Sequence, residues 1–107
     1  MLLVCRFDES DVPDVRARAR TALELLSAQP GCLGGELGRA VEEPGSWVLV
    51  VRFESVHAYR RALGPFPVRE HVVPLLALAR TDAAATFETL LSATAGEVEE
   101  RPSLLVE

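Results

Sequence analysis

The chain has 107 residues, enough for about one domain with a single core. Its net charge of −5 argues against a nucleic-acid partner, because such binding needs clustered positive charge to displace counterions. Met1 to Arg6 does not read as a secretory signal, and no apolar run approaches the ~20 residues needed to cross a bilayer, so a cytoplasmic protein without a membrane partner is expected.

Leu2 to Phe7 is a short apolar run and predicts a first strand. Asp8 to Asp11 punctuates it. Asp11 can cap a helix, and Pro13 is tolerated in a first turn, where its missing N–H has no helical partner. Val15, Ala19, Ala22, Leu23 and Leu26 then recur at three- and four-residue spacing and form one buried stripe. Arg16, Arg20 and Glu24 fall together on the outer face, and Gln29-Pro30-Gly31 ends the helix.

Cys32 to Val41 predicts a second strand, with Gly34, Gly35 and Gly38 pointing to a bulge or a close backbone approach. Glu43-Pro44-Gly45 is a turn signal, and Trp47 to Phe53 is the most strand-like stretch of the chain. Ser55 can cap a second helix over Val56 to Leu63, stopped by Gly64-Pro65. A third helix is expected from Pro67 to about Ala79, kinked or split by Pro74. Thr81 to Ala84 is a loop, and Ala85 to Ala93 predicts the fourth strand. An acidic patch at Glu97, Glu99 and Glu100 precedes Pro102 and an apolar end, Leu104-Leu105-Val106.

The order β-α-β-β-α-(α)-β is that of an α+β, ferredoxin-like fold. Right-handed crossovers put strands one and three in the middle of an open antiparallel sheet, with the helices on one face. Residues 1–93 make this domain, and residues 94–107 a C-terminal tail that could reach onto a partner subunit. Alternation places Trp47, Leu49, Val51 and Phe53 on one side of strand three, and Val48, Val50 and Arg52 on the other. Both sides are mostly apolar while the helices cover one, so a homodimer is expected to cover the second. The other possibility is a monomer whose tail folds back over its own sheet.

Pro30-Gly31-Cys32-Leu33-Gly34 running into Glu36-Leu37, then Trp47 to Ser55, then Ala58-Tyr59, resembles the antibiotic biosynthesis monooxygenase (ABM) family. The resemblance implies a ferredoxin-like protomer in a dimeric α/β barrel. It also implies a choice of chemistries, because the family holds cofactor-free oxygenases that turn anthrones into quinones, haem-degrading enzymes and signal-molecule-degrading proteins. Quinone-forming members carry an Asn and a Trp four apart on strand three and a Tyr on the next helix. The matching positions are Leu49, Phe53 and Tyr59, so the Tyr is kept and the other two are replaced. Val51 stands where many relatives have Glu. Haem-degrading members pair an Asn on strand one and the same Trp with a helix His that matches His71.

His71 is thus the candidate base or iron ligand, and Tyr59 the candidate hydrogen-bond partner for a substrate oxygen. Leu49, Val51, Phe53 and Trp47 are expected as walls of a pocket for an aromatic or apolar small molecule. Each also has a plainer reading: a half-buried His bonded to a carbonyl, a core Tyr with its hydroxyl at the surface, core aliphatics and aromatics. His57, Arg60 and Arg61 read as solvated helix residues, and Arg52, on the presumed dimer face, as a member of an interfacial ion pair with Glu36 or Glu54. Cys5 reads as an inert buried thiol, and Cys5 and Cys32 as reduced rather than joined. The residues and the resemblance together leave three functions open. They are a cofactor-free monooxygenase on a small aromatic or polyketide-like substrate, a non-catalytic dimeric binding module, and a haem protein.

Overall fold

The computed structural model describes residues 1–105, so Val106 of the expected apolar end lies outside it. Strand β1 (Leu2–Asp8) leads through helix α1 (Val15–Ser27) to β2 (Cys32–Arg39) and β3 (Ser46–Phe53). Helices α2 (Val56–Ala62), α3 (Phe66–His71) and α4 (Val73–Leu76) follow. The chain closes with β4 (Thr86–Phe87), β5 (Leu91–Thr94) and β6 (Glu97–Glu100). Four strands form one antiparallel sheet in the order β2-β3-β1-β4, so β1 and β3 occupy the middle, as the topology requires.

Register explains the core. Leu3 faces Val51, Cys5 faces Leu49 and Phe7 faces Trp47, and opposed residues on antiparallel strands share a face. All six are buried, as is Phe53. Val15, Ala19, Ala22 and Leu26 of α1, Ala58 and Ala62 of α2, Val68 of α3 and Leu75 of α4 cover them. Each fully buried Leu, Val or Phe contributes about 1.5–3 kcal/mol relative to exposure. The opposite face carries Leu2 and Val4 beside Val48 and Val50, all half-buried. Arg6, Arg52 and Glu36 share that face. Among the described residues Arg52 forms no ion pair with Glu36 or Glu54.

Three boundaries differ from expectation. Helix α1 starts at Val15 rather than at an Asp11 cap, because Asp14 adopts a left-handed backbone (φ 55°) that a helix cannot extend through. The helix expected over 67–79 is two short ones parted at Val72. Pro74 has no N–H to give to the carbonyl of Glu70, and its ring crowds that carbonyl. The strand expected over 85–93 pairs with β1 only at Thr86 and Phe87. The chain then leaves the sheet, and β5 pairs with β6 in a separate hairpin that takes up the acidic patch, so the expected boundary after residue 93 falls inside it. Ala95 and Gly96 both have positive φ, 51° and 82°, as a two-residue hairpin turn matched to strand twist demands. Beyond the hairpin, the Glu88 carboxylate accepts hydrogen bonds from Ser103 Oγ and from the Leu104 N–H at 2.9 Å. These bonds tie the tail back to its own protomer.

Gly31 joins α1 to β2 with φ 84°, and a Cβ there would lie 2.6 Å from the Ala58 Cβ of α2. Gly31→Ala is expected to cost more than about 1–2 kcal/mol, the price of a left-handed non-glycine residue, before the collision is added. A urea midpoint matching the parent's would contradict this packing. Cys5 and Cys32 are both free, and burial pushes the Cys5 thiol up to about 11. Its protonated form is the one the fold holds. Stability from this group is therefore intact below pH 9 and declines as pH rises from about 9 to 11, where the unfolded chain ionises first. At pH 8 Cys5 should resist a thiol reagent until urea is added, while half-buried Cys32 reacts in the native state; equal native rates would refute it.

Candidate functional site

The family-matched positions meet at one end of the buried face. Leu49 and Phe53 point inward from β3, both wholly buried, with Val51 between them. Tyr59 comes from α2, which is started by Ser55: its side chain accepts a hydrogen bond from the Ala58 N–H at 3.0 Å. One turn on, the Tyr59 ring stands edge-on to Phe53, with centroids 5.5 Å apart and planes at 64°, a favoured aromatic pairing. Burial, and secondarily the neighbouring Cys5, hold the Tyr59 phenol above its usual range, while Arg60 pulls weakly the other way. The hydroxyl is therefore a neutral O–H, a hydrogen-bond donor and not a base, at physiological pH.

His71 lies elsewhere. Its ring is about half exposed, with Nε2 3.8 Å from the Glu70 carboxylate, at the C-terminal end of α3. It lines a shallow groove of about 310 Å³ against α1, with Asp14, Ala17, Arg18 and Thr21. Tyr59 and the β3 side chains take no part in that groove. Side chains of the buried face fill the space between sheet and helices beside Tyr59, so Leu49, Val51 and Phe53 act there as core. Trp47, at the far end of the same face, is buried beneath Arg16 and Arg39. Spacing alone could not show this, since Arg16 was assigned to the solvated face of α1. His57 is exposed, on an apolar cleft of about 580 Å³ between α2 and the tail, which Val56, Leu104 and Leu105 also line. Among the described residues no three His, Cys, Asp or Glu side chains converge as metal ligands, and no helix is long and apolar enough to cross a membrane.

Known structures share this fold. Rv0793 from Mycobacterium tuberculosis superposes with a TM-score of 0.68 at 21% identity, over 87% of this chain and 97% of that one. SnoaB, a cofactor-independent oxygenase from Streptomyces nogalater, superposes in a mutant form with a TM-score of 0.57 at 28% identity, over 74% and 82% of the two chains. A protein from Deinococcus radiodurans, described as a putative antibiotic biosynthesis monooxygenase, gives a TM-score of 0.57 at 13% identity, over 84% and 99%. Comparison with curated proteins finds no significant match. The model of the antibiotic biosynthesis monooxygenase family matches residues 4–65, which run from β1 past the end of α2 and take in every β3 position above together with Tyr59. Because that match spans more than half of the chain, the chain belongs to the antibiotic biosynthesis monooxygenase family.

Proposed function

We propose that the protein is a cofactor-independent monooxygenase that oxidises a small aromatic, polyketide-like ketone. The observation that carries this reading is Tyr59: within the family-matched segment it presents a protonated phenol against the aromatic edge of Phe53. The likeness to SnoaB at 28% identity supports oxygen chemistry without metal or flavin. An anthrone illustrates the balance. The CH₂ beside the rings loses a proton, the carbanion passes an electron to O₂, and the two radicals combine as a peroxide. Loss of water then leaves a C=O, so one O₂ yields one quinone and one water. The protein's part is to hold the substrate and stabilise the enolate oxygen as charge develops; a neutral phenol O–H suits that task.

The working unit in this reading is a homodimer. Leu2, Val4, Val48 and Val50 form an apolar sheet face that no helix of the same chain covers, and a second sheet of the same kind fits it. The packing of Leu49, Val51 and Phe53 as core favours a second reading, a non-catalytic dimer that binds an apolar metabolite and turns nothing over.

O₂ uptake with an anthrone separates the two readings. The oxygenase reading expects a rate above the uncatalysed one, lowered tenfold or more in Tyr59→Phe and kept in His71→Ala, whose ring lies in another groove. No rate above background supports the binding module. A rate lost in His71→Ala and kept in Tyr59→Phe would reverse the assignment. Sedimentation should give twice the chain mass for the parent, and Val50→Glu, which sets a charge at the centre of the uncovered face, should shift it to one chain. A parent that sediments as a single chain at micromolar concentration would refute the dimer.

A further inference from the structure

The far end of the buried face, away from Tyr59, carries groups that neither the fold nor the proposed oxidation uses. The Arg16 guanidinium lies 5.8 Å, and that of Arg39 5.3 Å, from the centre of the Trp47 ring. The two come from different elements, α1 and the end of β2, and converge on a residue of β3. Among the described residues neither guanidinium has a carboxylate within 4.0 Å, although the chain carries sixteen Asp and Glu against eleven Arg. Glu9 and Asp14 are the acidic residues nearby; they line the adjoining recess and leave both arginines unpaired.

The indole supplies an independent observation. Trp47 is only 6% exposed, and its Nε1–H is buried without an acceptor among the described residues. Buried polar groups in native proteins are nearly always bonded, and an exception calls for a partner that the isolated chain lacks. A donor without an acceptor beside two cations without anions is a set that wants oxygen lone pairs. The same side chains line an open groove of about 630 Å³, within the roughly 300–1,000 Å³ range of small-molecule sites. Leu37, Val41 and Pro44 give the groove an apolar wall, and Val41 is 96% exposed.

We infer that this groove binds an apolar carboxylate, with its oxygens on Arg16 and Arg39 over the Trp47 ring and its hydrocarbon body along Leu37, Val41 and Pro44. Guanidinium forks match planar carboxylates in bidentate geometry, and charge-assisted bonds of this kind are about twice as strong as neutral ones. The arginines stack on the ring while the groove is empty and turn to the anion when it arrives, so the indole changes surroundings on binding. The site is separate from Tyr59, and the inference does not depend on the oxidation proposed above.

The chain has one tryptophan, so its fluorescence and its single indole N–H resonance report on this groove alone. The experiment titrates the protein with benzoate, with benzamide as the uncharged body, and with inorganic phosphate as the bodiless oxyanion. Benzoate is expected to give a saturable shift in both signals, benzamide none, and phosphate at least tenfold weaker binding. Arg39→Gln and Arg16→Gln, both at exposed positions, should each weaken benzoate tenfold or more while far-UV dichroism and the melting temperature hold. The inference is overturned by the absence of a saturable response, by an equal response to benzamide, or by full affinity in both variants. Phosphate binding as tight as benzoate would overturn the role of the apolar wall.

Discussion

Strand β3 has to be apolar on both sides, and that requirement shapes everything around it. It lies between β2 and β1, so its backbone groups are spent on neighbours and its side chains alone decide what each face meets. Inward, Trp47, Leu49, Val51 and Phe53 are wholly or almost wholly removed from water. This row fixes register, because a slip of one residue would bring Val48, Val50 and Arg52 inward and bury a guanidinium. It also fixes where the helices can sit. Small residues of α1, Ala19 and Ala22, let that helix approach the sheet closely, and Ala58 and Ala62 do the same for α2.

The same row joins the two ends of the buried face. At one end Phe53 meets Tyr59, an aromatic pair with a phenol on its rim. At the other Trp47 meets two arginines. Between them Leu49 and Val51 make continuous core. The resemblance implies an Asn and a Trp at the positions of Leu49 and Phe53, an amide and an indole N–H where this chain has hydrocarbon. A buried amide needs partners, whereas a leucine needs only neighbours to touch. With apolar side chains at both positions, the polar groups of the face are left at its two ends, Tyr59 at one and the two arginines at the other.

Much of this was legible in the amino-acid sequence, for identifiable reasons. Alternation along β3 and the three-to-four spacing in α1 are signals of burial, and burial dominates local preference, so element types, sheet order and the inner row follow from them. The ends of elements do not. Asp14 reads as an ordinary first-turn residue, and nothing local announces its left-handed backbone. The 91–100 hairpin was missed because its turn is Ala95-Gly96, and alanine carries none of the signal that Asn or Asp gives at such a position. Tyr59 was singled out by the resemblance alone, whereas the groove that His71 lines depends on how α3 packs against α1, a long-range contact. The Arg16–Trp47–Arg39 cluster joins residues from three elements, with Arg16 more than twenty positions from the other two. Alternation placed Trp47 on the inward row, but nothing in it pointed to the two arginines.

The sheet's two outermost strands have a bearing on how copies of this chain can meet. On one side β2 breaks its ladder between Cys32 and Gly34, carries three glycines, and sets Glu36 and Arg39 toward water. On the other, β4 offers two residues before the chain departs. Bulges, charges and brevity are the devices by which natural sheets keep foreign strands from adding to their borders. Both borders are thus poor templates for open-ended strand addition, the route that leads to fibres. The broad flank of the sheet is different: a second copy seated there, as proposed above, would satisfy both at once, and growth would stop at a pair.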